Sequence, residues 1–179
     1  MNSRSIWERY YIKTPLEKIP WQKSQANYFT KVIETGKVKS GSALDLGCGT
    51  GAKSIYLAKR GFKVNGVDIS RTAIKFAKRN AQKAKVKARF IVANATDLGF
   101  LKNKKFDFIL DWANLHGIPK SKRKKYIQEI VKHTKKGGKL LLRCFSKRGV
   151  KKESVLFGDG QNLSVFKKKI LKIFLVSIL

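Results

Sequence analysis

The 179-residue chain reads as an α/β protein with a doubly wound, mostly parallel sheet and helices on both faces, preceded by an N-terminal helical extension. Two observations predict this. Strand-like and helix-like segments alternate from residue 43 onward, and the first strand-like run ends in a glycine-rich turn, GCGTGA, before a helical pattern begins. A third observation sets the size: 42% hydrophobic residues in 179 supply one well-buried core and are few for two. One domain over 1–179 is expected, with a helical lid at 1–40, a core at 41–146 and a C-terminal loop and last strand at 147–179.

Each element has a local reason. Residues 1–40 read as one or two helices carrying Trp7, Tyr10, Tyr11, Trp21, Tyr28 and Phe29, divided at Pro15 and Pro20. Most of those aromatics suit packing. Trp21, just after the Ile-Pro break, is the one placed to cover a ligand. Ala43–Leu46 is a short apolar strand. Ala52–Arg60 is a helix with Ile55 and Ala58 inward and Gly61 at its stop. Phe62–Val67 is a strand, and Arg71–Lys85 a helix with Ala73, Ala77, Ala81 and Ala84 along one face. Ala88–Val92 and Phe106–Leu110 are strands, the second buried on both faces. Ser121–Lys136 is a helix in which Ile127, Ile130, Val131 and Thr134 follow the helical period, with Gly137-Gly138 ending it. Lys139–Phe145 is a fifth strand. Right-handed crossovers then wind the sheet on both faces.

Composition excludes several classes. Two cysteines form no disulfide framework, and no Cys/His cluster has zinc spacing, so no metal is expected and a reducing cytoplasm fits. The first residues, MNSRSIWERYY, hold no apolar run of the signal-peptide kind. The most apolar stretch, Ile170–Leu179, is interrupted by Lys172 and is half the roughly 20 residues a spanning helix needs, so no membrane partner is expected. Net charge is +30, and lysine supplies 32 of the 41 basic residues, scattered along the chain. Reading of bases favours the planar fork of arginine. Scattered lysine predicts a solvated basic surface that binds RNA non-specifically at low salt.

Against 41 bases stand 11 acids, and four of these, Asp45, Asp68, Asp97 and Asp111, fall at or beyond strand ends. A doubly wound sheet binds its ligand outside the carboxyl ends of its strands. The turn at 47–52 fits a dinucleotide fingerprint as G-x-G-x-x-A, with Asp68 about where a ribose-binding acid belongs, so the loop alone is ambiguous. Asp45 extends it to D-x-G-x-G-x-G. A carboxylate there repels a pyrophosphate and favours an ammonium or sulfonium. Asp97 can accept from an exocyclic amine, and Asp111 closes the strand next to the loop. Together these acids predict a negative mouth on a basic protein.

LDLGCGTG (44–51), VNGVDIS (64–70), NATDL (94–98) and FDFILDWANLH (106–116) resemble the successive motifs of class I S-adenosylmethionine-dependent methyltransferases, a Rossmann-like family. The match covers roughly 42–146, and the linked set is far more specific than any one motif. The opening WERYY…PLEKIPW and the strand LLLRCFS resemble the small-molecule branch near the thiopurine and tellurite-resistance enzymes. By position, the resemblance assigns Gly47, Cys48, Gly49 and Gly51 to the methionine portion of S-adenosylmethionine. It assigns Asp68 to both ribose hydroxyls, Ile69 to the adenine face, Asp97 and the Leu98 backbone to the adenine amine, and Asp111 to the cofactor's amino group.

Transfer from a sulfonium needs alignment and a dry pocket, and a general base only if the acceptor must lose a proton. His116 is the candidate base, with a loop role holding backbone as its alternative. His133 lies on the far helix. DWAN is not the Asn/Asp-Pro-Pro-aromatic motif of amine methylation on adenine or glutamine, and no Pro-Cys nucleophile is present. Cys144 suits a buried strand position. Transfer to a small acceptor is the leading expectation, with Trp21, Trp112 and Phe145 near the mouth. An RNA or protein methyltransferase using the basic surface and a non-catalytic cofactor-binding protein stand as alternatives. Family members close the sheet with two further strands. Only 33 residues follow Ser146, so one of these strands is expected to be missing or shortened, leaving an edge open to self-association.

Overall fold

The computed structural model describes residues 3–23, 27–145, 153–154, 156–159, 162–165 and 174–177. The N-terminal part forms α1 (Ser3–Lys13), a 3-10 turn (Leu16–Lys18), α2 (Pro20–Lys23) and α3 (Asn27–Glu34). The two prolines make the divisions as expected. Pro15 caps the 3-10 turn, and Pro20 opens α2, where a missing N–H breaks no helical bond.

The core then alternates: β1 (Ser42–Leu46), α4 (Ala52–Ala58), β2 (Lys63–Asp68), α5 (Arg71–Lys83), β3 (Arg89–Val92), β4 (Phe106–Trp112), α6 (Arg123–Lys132) and β5 (Thr134–Phe145). These five strands run parallel in the order β3-β2-β1-β4-β5. The chain leaves β1 toward β2 on one side and returns as β4 on the other. A crevice therefore opens at the carboxyl ends of β1 and β4. Alternation along the strands sorts the core. Ala43, Phe108, Leu110, Trp112 and Leu141 pack with Phe29, Ile33 and Leu57 on one face. Leu44, Leu46, Ile109, Leu140 and Leu142 pack with Tyr126 and Ile130 on the other.

Several boundaries differ from expectation, each for a local reason. Leu57 and Ser54, rather than Ile55 and Ala58, are the fully buried residues of α4. In α5, Ile74 joins Ala73, Ala77 and Ala81 in burial. The helix predicted to 136 stops at Lys132. Thr134 Oγ1 donates to Ile130 O at 2.6 Å and Phe106 N donates to His133 O at 2.8 Å, which draws the chain into the sheet. Gly137-Gly138 consequently falls inside β5, at an irregularity where the register passes from Phe106↔Thr134 to Phe108↔Lys139. The buried stripe of α6 centres on Tyr126 and Ile130, so Val131 is 44% exposed.

Asp107 staples this region. Its carboxylate accepts from Ser42 N, Ser42 Oγ and Lys135 Nζ at 2.7–3.0 Å, and these partners hold its pKa down to about 2.

The C-terminal part adds β6 (Glu153–Ser154), β7 (Leu156–Asp159), β8 (Asn162–Val165) and β9 (Phe174–Ser177). β9 runs antiparallel to residues 139–142 of β5, and β6 pairs antiparallel with residues 144–145. The main sheet thus holds seven paired strands, which corrects the expectation that a strand would be lost and its edge left open. What remains of that expectation is the shortening. β6 is only two residues long, and it shares the flanks of β5 with β4 and β9, so the sheet is six strands across. β7 and β8 form a separate hairpin. The side chains of Tyr28, Cys144 and Phe145, which entered the expectations above, lie outside the described residues.

Candidate functional site

The crevice at the ends of β1 and β4 is a cavity of about 600 Å³, within the range of small-molecule sites. The β1–α4 turn forms its floor. Gly47 and Cys48 both donate backbone N–H to Val67 O, at 2.8 and 2.9 Å, which folds the turn back over β2. The turn then passes under two polar groups. A Cβ on Gly47 (φ +69°) would meet Asn114 Oδ1 at 2.5 Å, and one on Gly49 (φ +53°) would meet the Tyr11 hydroxyl at 2.8 Å. Only glycine meets both the backbone and the space requirement there.

Asp68 ends β2 and lines the cavity. Its Oδ2 accepts Gly49 N–H and its Oδ1 accepts Ser70 N–H, each at 2.9 Å. A carboxylate offers about four acceptor positions, so acceptor capacity remains for the hydroxyls of a ligand. Burial pushes the Asp68 pKa up, while the Ser70 and Gly49 amides oppose the rise. Asp45 is 2% exposed and accepts from Ser54 Oγ at 2.6 Å. Burial raises its pKa to about 6, opposed by Ser54 and Lys53. Burial, then Asp45 and Asp68, push the Cys48 thiol well above its ordinary value, so Cys48 lines the cavity as a neutral group.

The N-terminal helices supply one side of the cavity. Trp7, Tyr10, Tyr11 and Trp21 form one aromatic cluster, with Tyr10 stacked on Trp21 at 5.2 Å. Trp7, Tyr11 and Trp21 face the cavity. Glu8 ties α1 to the core, accepting from Ser70 Oγ at 2.6 Å, Thr72 Oγ1 at 2.7 Å and Thr72 N at 3.3 Å.

The structure therefore brings Trp21, Asp45, Gly47, Cys48, Gly49, Asp68, Ile69 and His116 to one cavity. Gly51 lies just outside the lining, as the left-handed N-cap of α4. Three other residues are placed elsewhere. Asp97 is exposed and is not among the lining residues; Ala93, Asn94, Ala95 and Thr96 of the same loop are. Leu98 is fully buried in the core, its N–H donating to Glu129 Oε2 at 3.0 Å. Asp111 is fully buried behind the wall. It accepts from Tyr126 Oη at 2.6 Å, Asn114 N at 2.7 Å and Leu115 N at 3.1 Å. Residue alternation explains this: Asp111 shares the α6 face with Ile109, whereas Asp45 shares the opposite face with Ala43. What reaches the cavity is Asn114, which Asp111 positions.

His116 is half-buried, and burial followed by Arg143 and Arg123 lowers its pKa, so the imidazole is neutral. His133 is fully buried away from the cavity, its Nδ1 2.8 Å from Lys104 O. Sequence reasoning missed Tyr11, Lys53, Asn114 and Arg143 as lining residues. Arg143 carried a usable signal, being the one charge within LLLRCF. Lys53 carried none in so lysine-rich a chain.

A methyltransferase domain model matches residues 43–138. The chain is 35% identical over 131 residues to a 2-heptyl-1-hydroxyquinolin-4(1H)-one methyltransferase of Mycobacteroides abscessus, covering 72% of this chain and 56% of that protein. It is 29% identical over 153 residues to a probable thiol methyltransferase of Arabidopsis thaliana, covering 80% and 63%. A solved structure concerned with the conversion of a disulfide bond into a thioacetal group during echinomycin biosynthesis superposes with a TM-score of 0.74 and 26% identity, covering 83% and 61%. The chain spans less than two thirds of the length of each. Among the described residues no helix is long and apolar enough to cross a membrane. With its model spanning more than half the residues, and with the glycine turn and Asp68 built into one cavity, the chain belongs to the methyltransferase domain family.

Proposed function

We propose that the protein transfers a methyl group from S-adenosylmethionine to a small-molecule acceptor. The observation that carries this reading is Asp68. Its two carboxylate oxygens are each anchored by one backbone N–H, are turned into the cavity beside the glycine turn, and retain acceptor capacity for a ribose diol. Asp45 and Asp68 favour the cationic end of such a donor over a pyrophosphate. Bound there, the donor supplies an already activated methyl group. The chain's own part is to orient, through Asn114 and the turn, and to exclude water, through Trp7, Tyr11 and Trp21. His116, neutral and on the wall, is the group positioned to take a proton where an acceptor must lose one.

Two of the relatives bear on the acceptor, one being described as a hydroxyquinolinone methyltransferase and one as a probable thiol methyltransferase. Trp7, Trp112, Ile118 and Pro119 line the space and offer apolar walls to such compact molecules. Incubation with methyl-labelled S-adenosylmethionine and a panel of small phenols, heteroaromatic hydroxyls and thiols tests this. Label should pass to at least one small acceptor. Donor binding with no transfer to any small molecule, but transfer to RNA or protein, would replace this reading with the macromolecular one.

A further inference from the structure

Four cationic side chains line the cavity, Arg4, Lys53, Lys122 and Arg143, and two of them converge on one residue. Trp112 closes β4, and Lys53 Nζ and the Arg143 guanidinium lie 5.2 and 5.0 Å from its ring centroid. Strand register places them so. Trp112 pairs with Arg143 across β4 and β5, and Lys53 comes from the first turn of α4, which covers that face of the sheet. Among the described residues no carboxylate lies within 4 Å of Lys53 Nζ. Asp45 is the acid that faces it, and that carboxylate is already engaged by Ser54. A partly buried ammonium and a guanidinium on one ring repel each other, and an anion bound between them relieves that repulsion. The cost shows in Lys53: burial lowers its pKa to about 8, Asp45 pulls it up and Arg143 pushes it further down.

We infer that the methyl acceptor is a small organic anion, an apolar body bearing an ionised oxygen or sulfur, held at Trp112 between Lys53 and Arg143. This rests on the methyltransferase reading. An acceptor that arrives ionised has no proton to lose, so Lys53 and Arg143 hold its charge in place of a general base. The acceptor's lone pair forms the bond to the methyl carbon as the carbon–sulfur bond breaks and sulfur keeps that electron pair. One negative and one positive charge are cancelled, and no other reactant is needed. The neutral methylated product then loses its attraction for both cations, which favours its release.

The test uses the full chain and a matched probe pair, 4-nitrobenzenethiolate and neutral 4-nitrotoluene, titrated by calorimetry with and without saturating S-adenosylhomocysteine. The thiolate should bind about tenfold more tightly than its neutral counterpart. Lys53→Met and Arg143→Met should each remove most of that preference, with Lys53→Arg restoring it. The affinity for S-adenosylhomocysteine should change less than about twofold in all three. A circular dichroism spectrum guards against misfolding, and Lys53→Gln stands in if Lys53→Met fails to fold. Near pH 8, thiolate binding should also take up protons, because Lys53 is partly deprotonated there before the anion arrives. Equal binding of both probes would overturn the inference. So would variants that lose S-adenosylhomocysteine while keeping the thiolate preference, since the cations would then serve the donor's own carboxylate. If wild-type protein ignores S-adenosylhomocysteine yet retains the preference, the methyltransferase reading fails and the anion site stands.

Discussion

Replacing Tyr126 by phenylalanine isolates the buried network behind the cleft. The ring is fully buried and keeps its volume, so no cavity opens. What is lost is one hydroxyl, which donates to Asp111 Oδ2 at 2.6 Å and accepts from Asn114 Nδ2 at 3.1 Å. A hydrogen bond to an ionised group contributes about 1.5–3 kcal/mol and a neutral one about 0.5–1.5, so the loss is about 2–4 kcal/mol when Asp111 is charged. It is about 1–3 kcal/mol when Asp111 is protonated, because both bonds are then neutral. Burial raises the Asp111 pKa to about 7 despite the bonds from Tyr126, Asn114 and Leu115. A carboxyl whose folded pKa is raised gives its full stability below the unfolded value and loses it as pH rises through the folded one. Removing the Tyr126 donor raises that folded pKa further, so the variant's deficit grows across pH 7. Urea unfolding of both proteins at about pH 5.5 and 8.5 measures it. Asp45, pushed up to about 6, titrates in the same window in both proteins, and its charge raises the Asp111 pKa in both. A deficit equal at the two pH values would refute the assignment of Asp111 as a buried titrating acceptor.

Two further outcomes are expected. Glu8→Gln weakens three hydrogen bonds from Ser70 and Thr72, so α1 should exchange amide hydrogens faster and S-adenosylhomocysteine affinity should fall about three- to tenfold; unchanged exchange in α1 would mean that Glu8 does not hold that helix. With a net charge of +30, the protein should bind any RNA at low salt with a log–log salt slope of about −0.7 per phosphate neutralised, and lose it near physiological salt while small-acceptor turnover barely changes. Sequence-selective RNA methylation surviving at high salt would contradict that.

The parallel core was legible because its signals are local. Apolar runs, GCGTGA and the glycine after α4 fix elements without reference to the rest of the chain. Boundaries were less so. The end of α6 depends on Thr134 bonding Ile130 and on Phe106 bonding His133, the second a contact across 27 residues that no local pattern announces. In the site, Asp45 and Asp68 were legible as acids at strand ends. Asp111 looked equivalent, yet its place in the alternation turns it toward Tyr126 and away from the cavity. Asp97 shared a motif with Asn94, Ala95 and Thr96, which line the cavity while Asp97 does not. The convergence of Lys53 and Arg143 on Trp112 needs the β4–β5 register and the packing of α4, which tertiary structure alone supplies.

What the cleft binds is the property that most directly defines it. Calorimetry of wild-type protein and Asp68→Ala with S-adenosylmethionine, S-adenosylhomocysteine and NAD decides it. The wild type should bind the first two and not NAD. The variant should lose up to two charge-assisted hydrogen bonds of about 1.5–3 kcal/mol each, a loss of affinity of at least about tenfold. Binding of NAD, or an Asp68→Ala protein that holds S-adenosylhomocysteine as tightly as wild type, would contradict the assignment of this cleft.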